Sequence, residues 1–189
     1  MREVVFDFES KGIEAMPKYP PEPVGLAIMV DKKPLQGVID GNPWYFAWGH
    51  PTENNCNQSQ VQKVVADLVA ADDVTWVAHN IAFDGAILEK HWDLVLPWGG
   101  QTICTMLLAF LKNPYGQLSL KPLCEELFSL PPEEQDAVQE WLIRHGVVRA
   151  NDKQWAAHIC DAPGGLVGHY AKGDIDRCKR LYDELKDKV

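Results

Sequence analysis

The order in which hydrophobic patterns appear along the chain restricts its fold most strongly. Before about residue 60 the apolar runs are short and rich in β-branched and aromatic residues, which is typical of strands. The strands predicted from these runs cover residues 3–8, 24–30 and 44–48. Four prolines within residues 16–23 exclude a helix or a central strand there. A turn is predicted at residues 40–43, so the first three strands are expected to form an antiparallel meander.

After residue 60 the apolar spacing becomes helical, with one further strand. The predicted elements are a helix at residues 61–69, a strand at 74–78 and a helix at 83–92. From residue 102 onward the pattern predicts only helices. The predicted breaks are residues 113–116, Pro131-Pro132 and Pro163-Gly164-Gly165, so the last helix is expected at about residues 168–186. This order predicts a single α/β domain over residues 1–189 with a mixed sheet.

Composition narrows the function of such a domain. The chain has 27 acidic and 18 basic residues, which gives a net charge of −9. This charge argues against a general nucleic-acid coat, because such a protein needs a basic face. It does not exclude a protein that holds one strand end through metal ions. No stretch of about 20 uncharged apolar residues occurs, so no membrane span is expected. Five irregularly spaced cysteines predict reduced thiols and a cytoplasmic location.

Four acidic residues stand in surroundings that favour a metal site. Asp7 and Glu9 lie two residues apart on an apolar strand, so both carboxylates leave the same face, where burial is costly without compensation. Asp84 follows a buried strand, where a helix begins. Asp174 follows Tyr170 by four residues, which places a phenol and a carboxylate on one helical face. Four hard oxygen donors suit Mg²⁺ or Mn²⁺, and no Cys/His cluster offers a zinc site.

Each of these patterns also has a purely structural explanation. Glu9 could simply end its strand in solvent. Asn80 or Asp84 could cap the following helix by accepting hydrogen bonds from free backbone N–H groups. A half-buried tyrosine and a surface aspartate are common on amphipathic helices. The four acids support a site because acids from a strand, a helix start and a C-terminal helix can meet at one sheet edge.

Three segments, in this order, resemble the motifs of the DEDD, or DnaQ-like, superfamily of 3′→5′ exonucleases: residues 6–9, 79–84 and 170–174. The resemblance implies a ribonuclease-H-like fold with a mixed five-stranded sheet, whose first three strands are antiparallel, flanked by helices. It also implies two divalent ions, Mg²⁺ or Mn²⁺. Asp7, Glu9 and Asp174 would ligate one ion, while Asp7 would bridge to a second that Asp84 holds largely through water.

The third motif leaves the branch of the superfamily open, because His169 directly precedes Tyr170. One branch uses Tyr-x-x-x-Asp and the other His-x-x-x-x-Asp. On a helix Tyr170 lies ~40° from Asp174 and His169 lies ~140° away, so the alternative requires His169 to precede the helix. The following residues resemble the tyrosine branch in proofreading domains of family A DNA polymerases. Tyr170 is therefore expected to orient the attacking water. Ser10 and Asn80 are expected to contact the substrate.

The expected activity is metal-dependent removal of nucleoside monophosphates from a DNA 3′ end. Single-stranded DNA is the expected substrate. A separately encoded DNA polymerase is a candidate partner for proofreading. An exoribonuclease of the same fold is an alternative, since nothing in the sequence reports on the 2′-OH. A second alternative is a binding module with an inactive site, which the presence of all four carboxylates disfavours.

Several further residues near the motifs have less specific interpretations. Lys11, Lys121 and Lys172 could neutralise phosphates or could be ordinary solvated lysines. Trp44 and Trp48 could stack on bases, but alternating strand positions favour the core. Where related proteins commonly open a helix with Asp-Thr-Met, this chain has Cys104-Thr105-Met106, which affects local capping rather than the four metal ligands.

Overall fold

The computed structural model describes residues 1–30, 44–131 and 133–188. Within them one mixed sheet has the strand order β3-β2-β1-β4-β5. The strands are β1 (Arg2–Ser10), β2 (Pro23–Val30), β3 (Trp44–Ala47), β4 (Val74–Ala78) and β5 (Thr102–Cys104). The pairs β1–β2 and β2–β3 are antiparallel, whereas β1–β4 and β4–β5 are parallel. This confirms the predicted sheet. The turn predicted at residues 40–43 lies outside the described residues, as does Pro132.

Helices cover both faces of the sheet. They are α1 (Gln58–Val69), α2 (Ile81–Trp92), α3 (Thr105–Lys112), α4 (Leu120–Phe128), α5 (Glu133–Arg144) and α6 (Gly164–Leu185), with a 3₁₀ helix at Trp155–Asp161. In α1 the buried residues Val61, Val65 and Leu68 repeat at helical spacing, so one face packs on the sheet. The prediction of helices here was correct in type, with ends shifted by a few residues.

The alternation of side chains along β1 divides the core into two layers. Val4, Phe6 and Phe8 pack in the cluster that contains the buried residues of α1 and α2. Val5 points the other way and packs in the cluster formed by β2, β3 and α6. Since side chains two apart share a face, Asp7 and Glu9 point toward the α6 layer. The central strand therefore carries its carboxylates to the side where the C-terminal helix lies.

Three predictions of secondary structure were wrong, one of them at Trp155–Asp161, which form a 3₁₀ helix. Residues 102–104 form a strand rather than part of a helix, because three residues are too few to show a periodicity and their parallel pairing with β4 decides their conformation. The last helix begins at Gly164, not near residue 168. Its glycines allow close packing instead of breaking the helix: a Cβ on Gly168 would lie 2.8 Å from Cδ1 of Tyr45, and one on Gly164 would lie 2.9 Å from Cβ of Ala47.

Trp44 and Trp48 pack against the α1–α2 core, as their strand positions predicted. All five cysteines are free thiols. Among the described residues no helix combines the length and apolar character needed to cross a bilayer.

Candidate active site

The end of β1 carries two carboxylates in an environment that opposes their charge. Asp7 is partly buried and Glu9 is only 7% exposed. Burial, followed by the charges of Asp84, Glu9 and Asp174, raises the pKa of Asp7 well above its usual value. Burial, together with the charge of Asp174, raises the pKa of Glu9 to about 8. Such groups ionise readily only when a cation is close.

Asp84 reaches the same region from the opposite layer. The recorded pairing of β1 with β4 ends at Val5 and Val77, so β1 extends past its neighbour. Three residues beyond Val5, the backbone N–H of Phe8 donates to Asp84 Oδ1 at 2.9 Å. Burial raises the pKa of Asp84 to about 7, although this hydrogen bond opposes the shift. The protruding end of β1 therefore fixes the Asp84 carboxylate beside the strand that carries Asp7.

The third contribution comes from α6 and α4. Lys121 Nζ, on α4, donates to Asp174 Oδ2 at 2.8 Å and to Tyr170 Oη at 2.9 Å. The side chains of Lys121 and Asp174 are 14% and 9% exposed. Burial, followed by the negative charge of Asp174, raises the pKa of Tyr170 well above its usual value, so the phenol keeps its proton at neutral pH. One helical turn of α6 thus presents a phenol and a carboxylate that both accept a hydrogen bond from the Lys121 ammonium.

The carboxylates of β1 and α6 and the Tyr170 phenol line one cavity of about 530 Å³, whereas Asp84 and Lys121 are not among its lining residues. Its acidic floor includes Asp7, Glu9 and Asp174, with Tyr170 beside them. One wall is the start of the β1–β2 connection and another is the 3₁₀ helix; the remaining lining residues are Phe8, Ser10, Lys11, Gly12, Ile13, Phe83, Gln154, Ala156, Ala157 and Ile159. The cavity is the size of a pocket for a small ligand or the end of a chain.

The structure separates the predicted site residues into those at the cavity and those away from it. Ser10 lines the cavity beside Glu9. Asn80 is exposed, occupies the position before α2 with a left-handed backbone, and lies outside the cavity lining. His169 lies within α6 and is exposed, whereas Tyr170 on the adjacent face lines the cavity.

The position of α6 is fixed by contacts at its first turn. The Gly165 N–H donates to Glu53 Oε2 at 3.1 Å, and the Gly164 N–H donates to the Thr52 carbonyl at 2.9 Å. Buried His50 bridges Tyr45 Oη at 2.7 Å and the Ala162 carbonyl at 3.0 Å. Because these contacts anchor the helix at one end, Tyr170 and Asp174 are held at a set height above the sheet.

The donor set fits a divalent cation. Asp174 Oδ1 is buried and has no hydrogen-bond partner, while Oδ2 already accepts from an ammonium group. The cavity also offers the carboxylate oxygens of Asp7 and Glu9, which hard cations prefer, while Arg177 Nη1 lies 3.8 Å from Asp174 Oδ1 in an ion pair. Among the described residues no three His, Cys, Asp or Glu side chains are already arranged as a metal site. The pocket therefore has the chemistry of a cation site, with the Lys121 ammonium bonded to one of its carboxylates.

The sequence patterns did not assign several residues in and around this pocket. For Lys121 the sequence left two interpretations open, a phosphate contact and a solvated lysine. Only the packing of α4 on α6 shows its carboxylate partner. Gln154 directly precedes, and Ala157 belongs to, a 3₁₀ helix that has no recognisable periodicity. Gly12 and Ile13 follow the first motif in a stretch that gave no signal beyond a connection.

Fold and site together define the chain as a member of the DEDD superfamily, with a ribonuclease-H-like α/β architecture. The family model described as 3′-5′ exonuclease matches residues 50–189. The chain belongs to this 3′-5′ exonuclease family, whose members hydrolyse phosphodiester bonds. The matched segment contains Asp84, Tyr170 and Asp174, whereas Asp7 and Glu9 precede it.

Solved structures share the fold at low sequence identity. Brucella melitensis NrnC with bound Mg²⁺ superposes with a TM-score of 0.60 at 18% identity, covering 98% of this chain and 72% of that chain. The Trypanosoma brucei RNase D–GMP complex gives 0.58 at 13% identity, covering 97% and 50%. The Aedes aegypti Nibbler EXO domain gives 0.50 at 10% identity, covering 97% and 80%. No curated protein matches the sequence.

Proposed function

We propose that this exonuclease removes nucleoside monophosphates from the 3′ end of single-stranded DNA with the help of two divalent ions, Mg²⁺ or Mn²⁺. The observation that carries the proposal is the meeting of the acids of β1 and α6 around one cavity, with the Tyr170 phenol beside them and Asp84 of α2 bonded to the Phe8 N–H of β1. When bound, such a pair of ions lowers the pKa of an attacking water and stabilises the leaving 3′ oxygen.

Each acidic residue has a role that follows from its position. Asp7, Glu9 and Asp174 face the cavity and would hold the first ion, and Asp7 would also contact the second. Asp84 would complete the second site, since the Phe8 N–H occupies Oδ1 and fixes the carboxylate's orientation. The Tyr170 phenol stays protonated at neutral pH and is suited to orient a water molecule by hydrogen bonding.

The walls of the cavity support binding of a strand end. The β1–β2 connection and the 3₁₀ helix approach each other closely: a Cβ on Gly12 would lie 3.2 Å from the carbonyl oxygen of Ala157. A pocket of about 530 Å³ with these walls is suited to a single terminal nucleotide, which supports a single-stranded end as the substrate. Ser10 lies on the cavity lining, where its hydroxyl can contact the substrate. We retain Asn80 as a contact to a more distant part of the strand, since it is exposed.

DNA is the proposed substrate, because the third motif resembles proofreading domains of family A DNA polymerases. RNA is the second candidate for a specific reason: the structural neighbours include RNase D in complex with RNA U12 and NrnC bound to pGG. A 2′-OH at the terminal sugar is the chemical difference that the pocket has to read. The two candidates share one site and one reaction, so a comparison of substrates separates them.

The deciding experiment uses 5′-labelled oligonucleotides of identical sequence in DNA and RNA form, with Mg²⁺ or Mn²⁺. We expect a ladder that shortens from the 3′ end, with the higher kcat/KM on DNA. A higher kcat/KM on RNA would replace the first candidate with the second. Binding without any ladder, in both metals, would support the inactive binding module instead.

A pair of variants ties the activity to this site. Asp7→Ala is expected to abolish cleavage while the protein stays folded, because it removes the carboxylate that both ions would share. Asp176→Ala is the matched control: this aspartate lies two residues after Asp174 but pairs with Arg180 on the exposed side of α6. Activity that persists in Asp7→Ala would mean that the reaction takes place elsewhere.

We also propose that the exonuclease proofreads for a separate polymerase. We further propose that residues 1–189 form a single domain and that the protein is cytoplasmic. The test of proofreading compares primer–template duplexes with a matched or a mismatched 3′ terminus. A frayed, mismatched end resembles a single strand and should be removed at least several-fold faster than a matched end. Equal rates on both duplexes would contradict a proofreading role.

A further inference from the structure

The contact between Lys121 and Asp174 joins a buried ammonium group to one of the acids assigned to metal binding. The ammonium lies 2.8 Å from Asp174 Oδ2 and 2.9 Å from Tyr170 Oη, and 4.0 Å from the centre of the Tyr170 ring. Both ionic side chains are largely screened from water. A pair of this kind interacts more strongly than a surface ion pair, because little solvent competes for either charge.

The surrounding fold holds Lys121 in this place. It lies in the first turn of α4, whose residues Leu123 and Cys124 are buried against α6. Just before α4, the Leu118 carbonyl accepts a hydrogen bond from His79 Nε2 at 2.8 Å, which ties the segment to the end of β4. The backbone of Lys121 is therefore fixed, and only its flexible side chain can bring the charge to Asp174 or take it away.

The charge of this lysine is opposite to that of the acids lining the cavity, and a second cation, Arg177, lies with Nη1 3.8 Å from Asp174 Oδ1. Repulsion from neighbouring acids is part of the reason why the pKa values of Asp7 and Glu9 are raised. The positive charge of Lys121 lowers the pKa of Asp7 and Glu9, against that trend. Lys121 thus partly neutralises several of the acids that would hold the ions, in addition to the one it touches.

We propose that Lys121 is a tethered cation that stabilises the metal-free acidic site and competes with the divalent ion for Asp174. This inference rests on the proposed function, since it assumes that Asp174 is a metal ligand. A divalent ion that binds Asp174 has to displace the ammonium from Oδ2 or tolerate a positive charge nearby, and either requirement weakens binding. Lys121 therefore sets the metal concentration at which the site fills.

Displacement of the lysine also changes the surroundings of Tyr170. While Lys121 donates to the phenol oxygen, one acceptor position of that oxygen is occupied. When the ammonium leaves, the phenol becomes available to a water molecule or to the substrate. Where the ion displaces the ammonium, metal binding and the release of Tyr170 are coupled through one side chain, and Lys121 acts as a positioning residue for Tyr170.

Calorimetric titration of the full chain with Mn²⁺ tests the proposal without measuring activity. Lys121→Met should bind Mn²⁺ about 5–10-fold more tightly, since a positive charge beside the ligand is removed. Lys121→Gln, which keeps a hydrogen-bond donor but no charge, should do the same, whereas Lys121→Arg should stay close to the wild type. Unchanged or weaker binding in both neutral variants would overturn the proposal.

Lys172→Met serves as the matched control for the loss of one positive charge. Lys172 lies on α6 between Tyr170 and Asp174, but its ammonium stands 5.6 Å from the centre of the Trp44 ring. Its removal should change Mn²⁺ affinity less than 2-fold. A gain equal to that of Lys121→Met would show that overall charge, and not the contact with Asp174, controls binding, and would also overturn the proposal.

Thermal unfolding gives a second readout and separates the two hypotheses. Without metal, Lys121→Met should melt at a lower temperature than the wild type, and Mn²⁺ should raise its melting temperature by more. Wild-type binding that Asp7→Ala abolishes, with no effect of Lys121, would refute the lysine proposal alone. Absence of Mn²⁺ binding in the wild type and in every Lys121 variant would refute both proposals.

Discussion

The two halves of α6 each carry an aspartate bonded to lysine, but the pKa of the aspartate is lowered in one half and raised in the other. In the C-terminal half, Lys179 and Lys186, which directly follows the last turn, contact Asp183 at 2.5 and 2.9 Å, and the Asp183 side chain is 46% exposed. Partial burial tends to raise the pKa of Asp183, but the hydrogen bonds from these two lysines outweigh it and lower the pKa. In the N-terminal half, Asp174 is buried and its pKa is raised by burial despite the ammonium of Lys121.

The difference lies in what each aspartate faces. Asp183 faces cations on its own helix and water, so its charge is compensated within the fold. Asp174 faces Asp7 and Glu9 across the cavity, so the folded chain leaves part of that negative charge uncompensated. Ion pairs that are exposed to solvent contribute little to the free energy of unfolding. Acids that are buried together cost stability unless a cation joins them, and such a site is suited to bind one.

The largest effect is expected from Glu9→Gln, which replaces a buried carboxylate by a neutral group of the same shape. Cleavage should fall by roughly 10³-fold or more, since a lost ligand removes several kcal/mol of transition-state stabilisation. The metal-free protein should become more stable at pH 8, because repulsion is removed. The measurements are the single-turnover cleavage rate and the melting temperature without metal.

Asp183→Asn is the control for Glu9→Gln, since it removes an acid that is already paired. It should leave cleavage within about 2-fold and slightly lower the stability. If both variants lost stability in the metal-free protein, the contrast between the two halves of α6 would be wrong.

A smaller effect on rate is expected at the third motif. Tyr170→Phe should lower kcat by about 10²-fold, which is typical for loss of a group that orients the nucleophile. His169→Ala should change kcat less than 2-fold, because His169 is exposed on α6. Single-turnover rates at saturating metal measure both. A greater loss in His169→Ala than in Tyr170→Phe would assign the chain to the histidine branch.

The stability of the metal-free protein should fall as the pH rises from about 4.5 to about 8. The pKa of Glu9 is raised to about 8 and that of Asp84 to about 7, so the folded state holds protons that the unfolded state has already released. The stabilisation is complete below the unfolded pKa values and is lost as the pH passes the folded ones. Melting temperatures in chelator across this range measure the effect.

Divalent metal should reverse this pH dependence, because a cation binds the ionised carboxylates of the folded state. In Mn²⁺ the melting temperature should stay level or rise between pH 6 and 8. A decrease equal to that seen in chelator would show that these acids do not bind the ion.

The smallest effect is expected for the ion pair between Arg180 and Asp176 on the solvent side of α6. In this pair Arg180 Nε lies 2.8 Å from Asp176 Oδ2. Arg180→Ala should change the free energy of unfolding by about 0.5 kcal/mol or less and leave the cleavage rate unchanged. Chemical denaturation measures the first quantity. A loss of several kcal/mol would show that the exposed network contributes far more than its solvation suggests.

The sequence predicted the elements whose periodicity is long enough to be recognised. The strand at Val74–Ala78 was placed correctly, and α2 was placed within two residues of its start. The strand at Thr102–Cys104 and the 3₁₀ helix at Trp155–Asp161 were missed, because a pairing with β4 and a set of local turns form them rather than an amphipathic pattern. Gly164 and Gly168 suggested a break, although they allow α6 to approach β3.

The sequence by itself determined the family, through acids at Asp7, Glu9, Asp84 and Asp174 whose order and spacing fit a strand, a helix start and a C-terminal helix. It could do so because the two-residue repeat of a strand and the four-residue repeat of a helix fix which side chains share a face. Only the tertiary structure decided that Lys121 meets Asp174, since α4 and α6 approach through packing between residues 53 positions apart. Contacts of that range depend on the whole core, and no local pattern encodes them.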